Sequence, residues 1–147
     1  MTTATDVYEQ DFYAWTQQQA TLLRTGELAG LDSEHLAEEL ESMGGSERQA
    51  LSSRLTELLM HLLKWRYQPE RRGNSWLSSI NKQRIGIEVL LEESPSLKVQ
   101  LSQWFEKAYQ RTRRYAAVET HLPIATFSET CPFTEEQALD PEFWPES

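Results

Sequence analysis

A chain of 147 residues has the length of one ordinary domain and can bury roughly two-thirds of its unfolded surface, so it needs neither metal nor disulfide for a core. Its one cysteine, Cys131, excludes an intramolecular disulfide and suits a reducing cytoplasm, and no apolar run approaches the ~20 residues of a membrane helix. The formal net charge of −9 repels nucleic acid and anionic lipid on average.

Met1–Asp6 has no basic and apolar leader, so we expect no secretory signal. There is no repeat and no alternating β-branched pattern, and apolar residues recur at three and four. The first predicted helix starts near Asp6 as N-cap, with Tyr8, Phe12, Trp15, Gln19 and Leu22 on one face and Gly26 and Gly30 at its end. Asp32 is the next expected cap. Leu36, Leu40 and Met43 then carry a short helix that Gly44-Gly45 should stop. Ser46 and Gln49 form a capping-box pattern opening a third helix. Its stripe of Leu51, Leu55, Leu58, Leu62 and Trp65, widened by Leu59 and Leu63, predicts a central helix that Pro69 ends. Asn74 or Ser75 opens a fourth helix with Trp76, Ile80, Ile87 and Leu91 inward. Ser94-Pro95 opens a fifth with Leu97, Leu101, Trp104, Ala108, Thr112 and Tyr115 on one face. Residues 121–147 are rich in proline, yet Ile124, Phe127, Phe133, Leu139, Phe143 and Trp144 need burial. We read this segment as an ordered strap, with Thr134 to Gln137 capping one short helix. The expected fold is all-α: one domain over 1–147, a compact bundle of about five helices over 6–120 and a strap over 121–147.

Several blocks carry a family resemblance: Tyr8-Glu9-Gln10-Asp11-Phe12-Tyr13-Ala14-Trp15, Glu38-Glu39-Leu40-Glu41-Ser42-Met43-Gly44, Met60-His61-Leu62-Leu63-Lys64-Trp65, Tyr67-Gln68-Pro69-Glu70, Ser94-Pro95-Ser96-Leu97, Leu122-Pro123 and Glu129-Thr130-Cys131-Pro132-Phe133. In this order, and over nearly the whole chain, they make it resemble the bacterial "domain of unknown function twenty-nine" family. The resemblance implies a compact helical protein of this length and no established activity, so it assigns no residue a role.

Charge is segregated along the chain. From Glu27 to Glu47 there is no Lys or Arg, while Lys64, Arg66, Arg71, Arg72, Lys82 and Arg84 are opposed only by Glu70. These six cations form a candidate anion-binding patch, and Trp65, Tyr67 and Trp76 among them would allow base stacking. The two tryptophans fall on apolar stripes, however, and nucleic acid is not the expected partner. A second candidate is a polar network. Arg54, Glu57 and His61 share one edge of the third helix, and a hairpin at Gly44-Gly45 would bring them toward Glu38, Glu39 and Glu41. A metal site there would need three or four converging ligands, and paired Glu-x-x-His motifs are absent. Arg111, Arg113 and Arg114 suit a helix C-terminus, and Cys131 has no neighbouring base to make it a nucleophile. We therefore expect no cofactor and a non-enzymatic protein-interaction domain with a protein partner or a second copy, since five Trp and five Tyr leave aromatic surface for an interface. Two alternatives stand beside it: an acidic, antitoxin-like partner of a basic protein, and a metal-assisted hydrolase using His61 with the Glu38–Glu41 carboxylates.

Overall fold

The computed structural model describes residues 3–146, which contain six α-helices and no strand. Helix α1 is Ala4–Gln10, α2 Phe12–Thr25, α3 Ser33–Tyr67, α4 Asn74–Glu93, α5 Leu101–Thr120 and α6 Glu135–Leu139. Chain contacts divide them into two compact units, residues 1–46 and 47–147.

In the N-terminal unit the expected first helix is two. Thr3 caps α1 in a capping box with Asp6. Asp11 then ends α1 and caps α2, its carboxylate accepting from the Ala14 amide at 3.0 Å. A short side chain that bonds its own backbone competes with the helical ladder and breaks it here. Gly26 closes α2 in the left-handed conformation (φ 77°), which costs glycine nothing. Only Trp15 and Gln19 are buried in α2.

The stop expected at Gly44-Gly45 is not formed. Helix α3 continues through both glycines to Tyr67. The Ser46 hydroxyl does not cap a new helix; it donates to the Ser42 carbonyl, one turn back, at 3.0 Å. Each helical glycine costs about 1 kcal/mol relative to alanine, a local penalty that good helix formers on both sides outweigh.

In the C-terminal unit the leucine stripe of α3 is the floor of the core. Leu51, Leu55, Leu58, Leu59, Leu62 and Leu63 are all fully buried. Ile80, Ile87 and Leu91 cover it from α4. From α5 it receives Phe105, Ala108, Tyr109 and Ala116; the expected Ala108 and Thr112 are fully buried, the inner face extends to Phe105, Tyr109 and Ala116, and Tyr115 lies half exposed. The α5 segment also starts late. Ser94 makes no side-chain cap, and Pro95–Gln100 is a 3-10 stretch. His121, at φ 60°, ends α5 in the left-handed position two residues before Pro123.

The strap closes the core with Phe127, Phe133 and Ala138. Among the described residues it has no sheet partner for its carbonyls, and backbone carbonyls are strong acceptors that need donors where water is excluded. Side chains do this. The Tyr109 hydroxyl donates to Ser128 O at 2.5 Å, Gln110 Nε2 to Glu129 O at 2.9 Å and Arg113 Nε to Phe127 O at 2.9 Å. Arg84 donates to Ala138 O and to Phe143 O, both at 2.8 Å, and Arg72 to Pro145 O at 3.4 Å. The Thr134–Gln137 capping box expected for α6 is present.

The helical reading of Gly44 makes a prediction. A Cβ there would meet nothing within 4 Å. Gly44→Ala should raise the free energy of unfolding in urea by about 0.5–1 kcal/mol. A loss of stability would mean that Gly44 is needed in a non-helical conformation.

Candidate functional site

In the N-terminal unit, polar side chains converge where α1 and α2 meet the start of α3. Asp32 lies just before α3. Its Oδ2 accepts from His35 Nδ1 at 2.8 Å and from Trp15 Nε1 at 3.1 Å, and its amide donates to Gln19 Oε1 at 2.8 Å. The spacing of three between Asp32 and His35 is what lets them meet in the first turn. A carboxylate only accepts, so His35 carries its proton on Nδ1 and keeps Nε2 as an acceptor when neutral. The Tyr8 ring stacks on His35 with centroids 4.0 Å apart, and its hydroxyl donates to Glu39 Oε1 at 2.5 Å. Trp15 packs edge-on against Tyr8 at 4.8 Å. Gln19 Nε2 is buried with no hydrogen-bond partner.

The electrostatics follow from these bonds. The hydrogen bond to the Glu39 carboxylate, with burial and the charges of Glu38 and Asp32, pushes Tyr8 up to about 12. The bond to Asp32 raises His35 above its ordinary 6.5 against the opposing effect of burial, with help from Glu38 and Glu34. Burial pushes Asp32 up, but the bonds from His35 and Trp15 outweigh it and leave Asp32 below 3.8. Three shifted groups on one small surface mark a candidate site on physical grounds. The arrangement can take up a proton at His35 and hold α1 against α3.

Of the candidate site residues expected from the sequence, Glu39 belongs to this cluster. Glu38 acts on it through space, and Glu38 and Glu41 are exposed. The hairpin needed to bring Arg54, Glu57 and His61 toward them is absent, because α3 runs through Gly44-Gly45. Those three have their own partners. His61 Nδ1 lies 2.9 Å from the Glu57 carbonyl and 3.6 Å from its carboxylate, and Arg54 donates to Gln83 at 3.2 Å. Gly86 leaves room for the Arg54 guanidinium, which a Cβ would overlap. Among the described residues, no group of three or more His, Cys, Asp or Glu is placed to hold a metal ion.

The six cations of the basic stretch scatter in role. Lys64 pairs with Glu119 and lies over Trp76, and Arg66 lies over Tyr67. Arg72 donates to Trp65 O at 2.6 Å and stacks on the Trp65 ring. Arg84 is buried against Trp144, while Arg71 and Lys82 are exposed. Cys131 is half-buried, and burial pushes its thiol up to about 11, which leaves it a poor nucleophile at neutral pH. Sequence reasoning missed Tyr8, Trp15, Asp32 and His35 as a group. The available signal was the Asp-x-x-His spacing at a helix start.

The N-terminal cluster has a pH signature. His35, raised in the fold, contributes stability fully below 6.5, and this is lost as pH rises through its folded value. Asp32, lowered in the fold, contributes above 3.8, and this is lost as pH falls through its folded value. The N-terminal unit should therefore be most stable between 3.8 and 6.5 and weaken above that window. Amide NMR of residues 4–46 during denaturation at several pH values measures this. His35→Gln should abolish the alkaline decline, and an unchanged decline would assign it to another group.

No curated protein and no solved structure was found to match the chain. The sequence does match the family described as "Domain of unknown function DUF29" over residues 7–144, a span that takes in both helical units, and the chain belongs to that family.

Proposed function

We propose that the protein is a protein-interaction module whose N-terminal unit engages a basic, amphipathic segment of a partner protein. The supporting observation is the coincidence of charge and exposed apolar surface in residues 1–46. That unit carries nine carboxylates against the single Arg24, a net −8 of the chain's −9, while residues 47–147 are almost neutral. On α3, Leu40 and Met43, three residues apart, are each 65 % exposed, and Phe12, Leu23 and Leu28 of the same unit are also exposed. Large apolar side chains that stay in water beside dense negative charge suit a partner that brings both apolar contact and cations.

Charge decides between possible partners. Two copies meeting through this unit would oppose −8 with −8, and nucleic acid would add a polyanion, so both are disfavoured. An acidic protein that neutralises a basic one, as an antitoxin does, is the version of this reading closest to the layout. The free thiol of Cys131 fits a cytoplasmic setting for it.

The test uses a labelled helical peptide of leucine and lysine, with a leucine–glutamate peptide as control, followed by fluorescence anisotropy. The cationic peptide should bind with a Kd of about 1–10 μM at low salt and at least about tenfold more weakly near 0.5 M salt. Replacing Leu40 and Met43 together by serine, at exposed positions, should weaken binding by about tenfold. Equal binding of the two peptides, or unchanged binding by the double variant, would overturn the proposal.

A further inference from the structure

The C-terminal unit has a cavity of about 560 Å³ between α4 and the segment around α6. Its buried floor is Arg84, Ile87 and Leu91, with Leu139 as a wall. Glu88, Glu92 and Lys98 also line it but are exposed, so their charges are solvated at the rim. The volume is that of a small-molecule site, and the floor is apolar except for one group.

That group is Arg84. It is only 5 % exposed, and no carboxylate of the described residues pairs with it. Two of its three nitrogens donate to the carbonyls of Ala138 and Phe143, and the guanidinium lies over the Trp144 ring. The third, Nη1, is buried and has no hydrogen-bond partner. Burial lowers the Arg84 pKa, and the charge of Asp140, acting through space, offsets this in part but gives Nη1 no acceptor. An unspent buried donor is costly, and the chain tolerates it beside an apolar cavity of ligand size. Holding the strap accounts for Nε and Nη2 and leaves Nη1 unexplained.

We propose that this cavity binds a small apolar monocarboxylate, its chain against Ile87, Leu91 and Leu139 and its carboxylate supplying the missing acceptor of Arg84 Nη1. No covalent step is involved, and the site is independent of the interaction surface on the N-terminal unit. Carboxylate binding also bears on the strap, because Arg84 grips it on both sides of Pro141, which lines the same cavity.

Decanoate is the probe, with decanol and decylamine as controls of equal chain length, titrated into the full chain by calorimetry and amide NMR. Decanoate should bind with a Kd of about 10–100 μM, at least about tenfold more tightly than either control. Its shifts should be confined to residues lining the cavity. Arg84→Lys keeps the charge but has no donor in the place of Nη1, and should weaken decanoate by about tenfold while leaving decanol unchanged. Because Arg84 also holds the strap, Ile85→Glu provides an independent check. Ile85 lines the cavity yet is largely exposed on α4, so the variant should fold and should bind decanoate at least about tenfold more weakly. Equal affinity for decanoate and decanol, absence of binding at about 1 mM, or full affinity in the folded Ile85→Glu variant would overturn the proposal.

Discussion

Six leucines of α3, from Leu51 to Leu63, must be kept from water on more than one side, and the rest of the C-terminal unit is arranged around that demand. Burying one such side chain is worth about 1.5–3 kcal/mol, so the set dominates the apolar stabilisation of the unit. Two helices cannot cover a face this broad. The chain therefore brings an irregular strap over it, and an irregular strap creates a polar problem that the helices then solve. Tyr109, Gln110, Arg113, Arg84 and Arg72 each donate to a strap carbonyl. The positive charges of the basic stretch are thus partly spent inside the molecule, where charge-assisted bonds to carbonyls are stronger than neutral ones.

The N-terminal unit is built on another balance. It buries little beyond Trp15 and Gln19, and polar contacts among Tyr8, Asp32, His35 and Glu39 do much of the joining. Such contacts each add little and depend on protonation. The unit thus combines high negative charge and exposed leucine and methionine with little buried apolar surface of its own. The sequence blocks around Tyr8 and around Glu39 meet in that cluster through one hydrogen bond.

How far the sequence could be read depends on the range of the interactions involved. The leucine stripe was legible because large apolar residues repeat at the helical period, and the capping box at Thr134 because it is a local pattern. The break at Asp11 was hidden, since Tyr8, Phe12 and Trp15 stay in phase across it. Gly44-Gly45 misled because propensity is a weak local cost that the surrounding helix overrides. On α5, Ala108 and Thr112 were legible at the helical period, while the buried stripe extends to Phe105, Tyr109 and Ala116 beside them and leaves Tyr115 half exposed. In the candidate site, Glu39 was legible from the acidic run. Tyr8 was not, because its partner lies 31 residues away. Arg84 read as a surface cation, which is what an arginine usually is, and only the fold shows it buried.

The central claim is that the leucine face of α3 and its strap form the most stable part of the molecule, while the N-terminal unit opens more easily. Native-state hydrogen exchange in increasing denaturant measures this at each amide. Amides of residues 51–63 should exchange only through global unfolding, with the full denaturant dependence, and those of residues 4–25 at a lower free energy with a shallower one. Exchange of residues 51–63 by local opening, or protection of the N-terminal helices equal to theirs, would contradict the account.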